Sequence, residues 1–305
     1  MKPAAPRLAY AALAAAIVAL GFSALFVRWA AAPGPVTGFY RMALASLILA
    51  PLALRGPGGS LRGRPRTGIL IALLGGLSLS LDIALWNTAV GKTSAANATL
   101  FANTAPLWVA IVAWRFFGET LRPRFWLGLA LTLLGSAAVA GADFLFHPSL
   151  GWGDVLALGA SFFYAGYYVF TQLGRRHLPS TIYVWLAGVA AAASLLVLSL
   201  VLGLPLTGYP ARTYLAFAGL ALVTQAFGYL AVGYALGHLP ASIVSPTMVA
   251  QPIVTALLAI PFLHEPITPV QWVGGALVIA GILQINASHV PSSTQPPAPI
   301  PQGTG

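Results

Sequence analysis

Long apolar runs, separated by short polar connections, make up most of this 305-residue chain. A helix needs about 20 consecutive, mostly apolar residues to cross the hydrocarbon core of a bilayer. The connections between the runs are too short for a folded soluble domain, so the function must lie within the helices. The pattern predicts an all-α membrane protein with ten transmembrane helices, over residues 8–28, 36–54, 68–89, 94–116, 125–141, 152–172, 181–203, 212–235, 240–262 and 270–287.

A stretch near the middle of the chain, residues 91–135, recurs at 237–281 with a constant offset of 146 residues. Chance similarity between apolar segments would align Ala and Leu, but it would not align Pro, Glu and Trp at one offset. The equivalent pairs are Gly91/Gly237, Ala95/Ala241, Pro106/Pro252, Ala113/Ala259, Glu119/Glu265, Trp126/Trp272, Gly128/Gly274 and Gly135/Gly281. We therefore predict two five-helix repeats, 1–143 and 144–289, followed by a disordered cytoplasmic tail, 290–305.

The distribution of charge predicts the orientation of these helices. The chain is 58% hydrophobic and only 7% charged, with a formal net charge of +10. Lys and Arg concentrate in the cytoplasmic connections of membrane proteins. With a cytoplasmic N-terminus, eleven basic residues lie inside (Lys2, Arg7, Arg55, Arg62, Arg64, Arg66, Arg115, Arg122, Arg124, Arg175 and Arg176) and three outside (Arg28, Lys92 and Arg212). This asymmetry accounts for the net charge, so the lipid bilayer is the expected partner and nucleic acid is not.

Equivalent connections of the two repeats differ in charge. The connection with Glu119 carries three arginines, whereas the connection with Glu265 carries neither Lys nor Arg. Equivalent connections should therefore lie on opposite sides of the membrane. Because five crossings are an odd number, the second repeat is predicted to be inverted, with both termini cytoplasmic. At each connection we expect the glutamate to cap a helix or to pair with a neighbouring arginine.

Polar and aromatic side chains on several predicted helices are candidates for a substrate site. The fourth predicted helix carries a stripe of Asn97, Phe101, Thr104 and Trp108 at spacings of four, three and four residues, which places them on one face. The alternatives are that these residues join helices through hydrogen bonds or fill the core. The predicted substrate-binding residues are Trp86, Asn97, Phe101, Trp108, Tyr164, Tyr168, Tyr229, Thr247 and Gln251, and helix kinks are predicted at Pro106 and Pro252.

Two opposite charges, Arg41 and Asp82, fall inside predicted membrane spans. Asp82 lies about 15 residues, or roughly 22 Å, from the start of its helix. Arg41 lies at a similar depth on the preceding, antiparallel helix. Intramembrane charges are costly and commonly functional, so we predict a gating or coupling role, with a static ion pair as the alternative. A lasting pair would leave an uncoupled facilitator, whereas a separating pair would let Asp82 relay protons.

Enzymes need clustered nucleophiles, bases or metal ligands, and this sequence lacks such clusters. Its five histidines fall near the ends of the predicted spans, and it contains no cysteine. We therefore predict no enzymatic activity, no metal and no cofactor. A purely structural scaffold would not need charges inside the bilayer.

Two tandem units, each closing with a proline, a glutamate connection and a Trp-x-Gly run, resemble the EamA repeat of the drug/metabolite transporter superfamily. The residues are Pro106, Glu119 and Trp126-Leu127-Gly128 in the first unit and Pro252, Glu265 and Trp272-Val273-Gly274 in the second; Phe39-Tyr40-Arg41 looks like that family's arginine motif. The resemblance covers nearly the whole chain. It implies a bacterial inner-membrane exporter of amino acids, including aromatic ones, or of related amphiphiles, with a monomer expected. The alternative is a nucleotide-sugar or phosphate-ester antiporter of the same fold.

Overall fold

The computed structural model describes residues 4–55, 61, 63–90, 92, 101–140, 151–263 and 267–288, and these ranges contain helices and no strand. Each predicted span contains helix. The helices are α1 (Ala4–Gly21), α2 (Ser23–Ala30), α3 (Gly34–Arg55), α4 (Arg66–Val90), α5 (Ala105–Phe116), α6 (Pro123–Ala140), α7 (Trp152–Gly174), α8 (Ser180–Val201), α9 (Ala211–Gly219), a π-helix (Leu220–Tyr229), α10 (Leu230–Leu236), α11 (Ala241–Met248), α12 (Gln251–Leu263) and α13 (Pro269–Ser288).

Seven helical stretches among the described residues are long and apolar enough to cross a membrane. Two further apolar helices are shorter, 105–116 and 123–139. Two segments lie outside the described residues. Residues 93–100 include the start of the fourth predicted span, and residues 141–150 begin at the last residue of the fifth. An all-helical membrane protein is thus the architecture, and the number of crossings stays a prediction.

Helix breaks occur at equivalent positions in the two repeats. In the first repeat a turn at Asn103 and Thr104 precedes α5, whose second residue is Pro106. In the second repeat, a turn at residues 249–250 precedes α12, whose second residue is Pro252. Proline fits the first turn of a helix because the N–H that it lacks has no partner there. Each predicted kink is therefore a two-residue turn, and a new helix begins one residue before the proline.

Side-chain contacts show which loops lie together at each of the two ends of the bundle. At the first, called the Arg175 end, Arg175 Nε donates to the Gly233 carbonyl, 2.7 Å away, and the start of α4 at Gly68 lies against Leu178. At the other, called the Tyr209 end, Thr213 Oγ1 donates to the Ala30 carbonyl at 2.8 Å. The loop after α8 therefore lies at the opposite end of the bundle from the loop after α7.

Helices α6 and α13, which are equivalent in the two repeats, form a close antiparallel crossing through glycines. A Cβ added at Gly128 would lie 2.7 Å from the Gly281 carbonyl oxygen, and one added at Gly135 would lie 2.5 Å from the Gly274 carbonyl oxygen. The backbones therefore approach as closely as membrane helices do at small residues. Gly128 is equivalent to Gly274 and Gly135 to Gly281, so the contacts are exchanged between equivalents. A local twofold axis between the two helices produces this exchange.

Other helix pairs follow the same exchange and enclose the centre of the bundle. Helix α3 packs against its equivalent α8, and α4 packs against α7. Helix α1, the equivalent of α7, packs against the π-helix and α10, which are equivalent to α4. The largest core cluster lies among these helices and includes the buried Tyr167, Tyr168 and Tyr229.

Candidate functional site

Two residues of the predicted stripe, Thr104 just before α5 and Trp108 on α5, direct their polar groups to a serine on α7. Trp108 Nε1 donates to Ser161 Oγ at 2.9 Å, and Thr104 Oγ1 lies 2.8 Å from the same oxygen. The Trp108 ring also packs edge-to-face on Phe162, with 5.9 Å between centroids. Phe101 packs in a separate small cluster with Ala89 and Ala157. Trp108 is thus fixed in orientation, whereas Asn97 lies outside the described residues.

Three tyrosines form a continuous group between α7 and the end of the π-helix. The Tyr168 hydroxyl donates to the Tyr164 hydroxyl at 3.0 Å, and their rings are 4.8 Å apart. The Tyr229 ring lies 5.4 Å from Tyr167, and its hydroxyl interacts with Tyr164. Of the predicted tyrosines, Tyr168 and Tyr229 are buried and Tyr164 is half-buried. The structure therefore brings all three predicted tyrosines together.

Arg41 reaches this tyrosine group from α3 and is held on two sides. Its Nε donates to Gln225 Oε1 at 3.0 Å, and its Nη1 donates to Ser23 Oγ at 3.4 Å. The guanidinium carbon lies 5.3 Å from the centroid of the Tyr229 ring, which is a cation–π distance. Arg41 thus connects three elements: α2, α3 and the π-helix.

Asp82 lies on the inward face of α4, one turn beyond Ser78, whose Oγ donates to the Phe163 carbonyl of α7 at 2.7 Å. The opposite face of α4 carries the exposed Leu77 and Leu81. Arg41 and Tyr164 both lie within electrostatic range of the Asp82 carboxylate. Among the described residues, however, that carboxylate receives no hydrogen bond and forms no ion pair. The static pair with Arg41, one of the two alternatives, is absent from this conformation.

The remaining predicted residues lie around the second helix break and at the far end of α4. Thr247 Oγ1 donates to the Ile243 carbonyl at 2.7 Å, so its hydroxyl is used within α11. Gln251 begins α12 directly after the break and is half-buried. Trp86 lies one turn beyond Asp82 on α4 and is also half-buried. In the part of the chain that the structure describes, no hydrogen bond or ring contact joins Trp86 or Gln251 to the tyrosine group, and their role in the site stays a prediction.

The sequence profile of the EamA-like transporter family matches this chain twice, over residues 7–141 and 151–287. The chain belongs to that family. The resemblance inferred from the proline, glutamate and tryptophan pattern is confirmed, as is the prediction of a transporter rather than an enzyme. The boundaries 1–143 and 144–289 stay predictions, and the tail 290–305 lies outside the described residues.

Relatives of this EamA-like transporter agree with that assignment. A protein of Streptantibioticus cattleyicolor named "Probable terminal-alkyne amino-acid exporter" is 31% identical over 251 residues, which cover 81% of this chain and 82% of the relative. An "Uncharacterized transporter" of Archaeoglobus fulgidus is 25% identical over 279 residues, which cover 91% of this chain and 96% of the relative. A protein of known crystal structure shares the fold, with a TM-score of 0.78 at 19% identity, and the match covers 92% of this chain and 97% of the other.

Sequence patterns missed several residues that build the site of this EamA-like transporter. Ser161 receives the Trp108 and Thr104 donors, and Ser23 and Gln225 hold Arg41. Gln225 is a polar residue within an apolar run and could have been found by that signal. The π-helix around it could not, because a wide helical turn has no distinct apolar period.

Glu119 joins the two repeats at the Arg175 end. It accepts a hydrogen bond from Ser242 Oγ at the start of α11, where Gln172 Oε1 also accepts from the Ala241 N–H at 2.8 Å. A carboxylate beside a helix N-terminus is stabilised by the helix dipole. An arginine partner of Glu119, one of the two expected arrangements, is not found among the described residues, and Glu265 lies outside them. Glu119 therefore joins the connection after α5 to the start of α11.

Proposed function

We propose that this EamA-like transporter exports small amphipathic amino acids, including aromatic and hydrophobic ones, across the bacterial inner membrane by alternating access. The observation that carries the proposal is the pair of equivalent helix breaks beside a tyrosine-rich site with one cation and one carboxylate. Secondary transporters bind substrate where interrupted helices meet at the repeat interface. The name of the Streptantibioticus relative supports amino acids as the substrate class.

The proposed architecture is ten crossings in two inverted repeats. The exchanged glycine contacts between α6 and α13 support it, because the local twofold axis runs perpendicular to both helices. If both helices cross the bilayer, that axis lies in the membrane plane and the repeats are inverted. The positive-inside distribution favours the Arg175 end as cytoplasmic, together with both termini.

Substrate is proposed to lie between the halves, against the predicted residues Trp86, Asn97, Phe101, Trp108, Tyr164, Tyr168, Tyr229, Thr247 and Gln251. The interruptions before Pro106 and Pro252 supply positions where α5 and α12 can change direction without breaking regular helix hydrogen bonds. Arg41 and Asp82 keep their predicted gating or coupling role. No cofactor is required for such a cycle, and a monomer contains the whole site.

The alternative is a nucleotide-sugar or phosphate-ester antiporter of the same fold. Phosphate recognition relies on several Arg or Lys donors, often in bidentate pairs. At the described site Arg41 is accompanied by the carboxylate of Asp82, which would repel a phosphate. The balance of one positive and one negative group favours a zwitterionic substrate over a polyanion.

Trp108→Ala is expected to lower amino-acid transport about tenfold, because it removes an indole fixed against Ser161 and Phe162 beside the helix break. Gln251→Ala, at the second break, is expected to act in the same direction. Uptake of radiolabelled amino acids into proteoliposomes measures both effects, and a panel of amino acids identifies the substrate.

The matched control is Trp114→Ala on the same helix, because the Trp114 side chain is 59% exposed and faces away from the core. This variant should transport like the wild type. Unchanged uptake in both Trp108→Ala and Gln251→Ala would exclude these residues from the lining. Failure of wild-type protein to move any amino acid would overturn the proposed function itself.

Cysteines introduced at Thr120 and Thr207 are expected to react with a membrane-impermeant reagent from opposite sides of the membrane. The chain contains no cysteine, so each label reports one position. Thr120 lies at the Arg175 end and Thr207 at the Tyr209 end, and both are exposed. His177→Cys is the control and should behave like Thr120→Cys. Labelling of Thr120→Cys and Thr207→Cys from one side would contradict the proposed topology.

A further inference from the structure

We propose that Arg41 and Asp82 form a two-point receptor for a zwitterion, in which the Arg41 guanidinium binds the substrate carboxylate and the Asp82 carboxylate binds the substrate ammonium. This inference rests on the proposed function and assigns roles within the same site. It differs from a gating pair, because the two side chains act through the substrate rather than through each other.

The two charged residues lie at the same level of the bundle on neighbouring helices. A Cβ added at Gly38 would lie 2.9 Å from Ile83 Cγ2, which fixes the relative position of α3 and α4. Arg41 follows Gly38 by about one turn and Asp82 is adjacent to Ile83, and the helices run in opposite directions. Both charges therefore lie on the same side of this contact, where Arg41 is within electrostatic range of Asp82.

The guanidinium of Arg41 is oriented but not saturated. Arginine has five N–H donors, and the described structure shows three of them directed to Gln225, Ser23 and the Tyr229 hydroxyl. All three partners are neutral, so they fix the side chain without neutralising its charge. The Tyr229 ring below the guanidinium adds a further constraint. A positioned cation with unused donors is the arrangement that binds a carboxylate through two parallel hydrogen bonds.

The carboxylate of Asp82 has no hydrogen-bond donor among the described residues. An ionised carboxylate in a low-dielectric environment is unfavourable unless it is paired. Asp82 is half-buried, although it lies on the inward face of α4, so its exposed surface faces the interior of the bundle rather than the lipid-facing leucines. An ammonium group provides the three donors and the positive charge that this position lacks.

The surroundings decide which ligand charge pattern fits. A simple anion would be attracted by Arg41 and repelled by Asp82, and a simple cation would experience the reverse. An α-amino acid places both charges on adjacent groups and satisfies both side chains at once. The neighbouring Tyr164, Tyr168 and Tyr229 rings supply a largely apolar surface for its side chain.

The repeat shows that this receptor is built in one half only. At the offset of 146 residues, Arg41 corresponds to Ala187 and Asp82 to Gly228. Gly228 lies within the π-helix that presents Gln225 and Tyr229 to Arg41. The charged pair thus has no equivalent at the matching positions of the other repeat, which suits a site for one small substrate.

The test measures binding of matched ligands to purified protein by ligand-induced thermal shift. For phenylalanine the set is L-phenylalanine, 2-phenylethylamine, which lacks the carboxylate, and 3-phenylpropionate, which lacks the ammonium. For leucine it is L-leucine, 3-methylbutylamine and 4-methylpentanoate. The amino acid with the faster uptake in proteoliposomes decides which set is used.

Wild-type protein should bind the amino acid at least about tenfold more tightly than either analogue, because each analogue lacks one charge-assisted contact. Asp82→Asn should weaken binding of the amino acid and of the amine about tenfold. It should leave binding of the acid unchanged or make it tighter. Arg41→Gln should weaken binding of the amino acid and of the acid and should leave binding of the amine unchanged. Arg55→Gln, at the exposed end of α3, should match the wild type.

If the affinities of the analogues lie within about threefold of the affinity of the amino acid, the proposed two-point receptor is wrong. An equal loss of all three ligands in Asp82→Asn, with unchanged thermal stability of the unliganded protein, would also overturn it. If Arg41→Gln does not fold, Arg41→Lys replaces it, since lysine keeps the charge and loses the bidentate geometry. Absence of amino-acid uptake by wild-type protein, in contrast, would contradict the proposed function rather than the assignment of these two residues.

Discussion

Gly274→Ala is expected to lower the free energy of unfolding by about 2 kcal/mol, whereas Gly275→Ala leaves it unchanged or raises it. The added Cβ at Gly274 would lie 2.7 Å from both the Gly135 carbonyl oxygen and the Ala138 Cβ. Two of its three nearest atoms belong to the backbone of α6, so the contact can be relieved only by separating the helices. Membrane helices are held largely by such close packing, which the separation would weaken.

Gly275 is a matched control because it is also buried in α13 and differs by one position. Its nearest atoms to an added Cβ belong to the Ile253 side chain, at 3.8 Å and beyond, which is ordinary van der Waals contact. Thermal unfolding in detergent, followed by the loss of the monodisperse peak in size-exclusion chromatography, compares the two variants. Equal stabilities would mean that the α6–α13 crossing is not as close as the structure shows.

The pattern of repeats predicted more of the fold than hydrophobicity alone. Gly128, Gly135, Gly274 and Gly281 already stood out as equivalent pairs in the sequence. The sequence could not show that these glycines face one another across two helices, because equivalence at a fixed offset carries no information about contact. That step requires the twofold packing that the folded chain provides.

The site was predicted in part, for reasons that differ between residues. Tyrosines within a span are visible as aromatic exceptions in an apolar run, and three of them do converge. Pro106 predicted a local change of direction, but a proline alone does not distinguish a bent helix from a short turn between two helices. An ion pair between Arg41 and Asp82 was one of two alternatives, because their depths match. Depth fixes only one coordinate, and the π-helix brings Gln225 to Arg41 instead.

Arg175→Ala is expected to destabilise the protein by about 3 kcal/mol, and Arg176→Ala by no more than about 0.5 kcal/mol. Arg175 Nε donates to the Gly233 carbonyl in the last turn of α10, and its Nη1 donates to the Leu178 carbonyl before α8. Last-turn carbonyls have no partner within their own helix, and a cation there also interacts favourably with the helix dipole. Burial lowers the pKa of the Arg175 guanidinium, which reflects how far the side chain is removed from water. Its loss would leave both carbonyls without a donor.

Arg176 isolates this capping effect from the effect of charge. It is adjacent in sequence, exposed, and lies 6.0 Å from the Phe117 ring. Either substitution removes one positive charge from the same end of the bundle, so any effect on membrane orientation is shared. Unfolding temperatures in detergent should therefore fall strongly for Arg175→Ala alone. Arg175→Lys should recover only part of the loss, because an ammonium lacks the planar fork that reaches two carbonyls. Similar losses in Arg175→Ala and Arg176→Ala would mean that charge, rather than the joining of α7, α8 and α10, is what this end of the transporter requires.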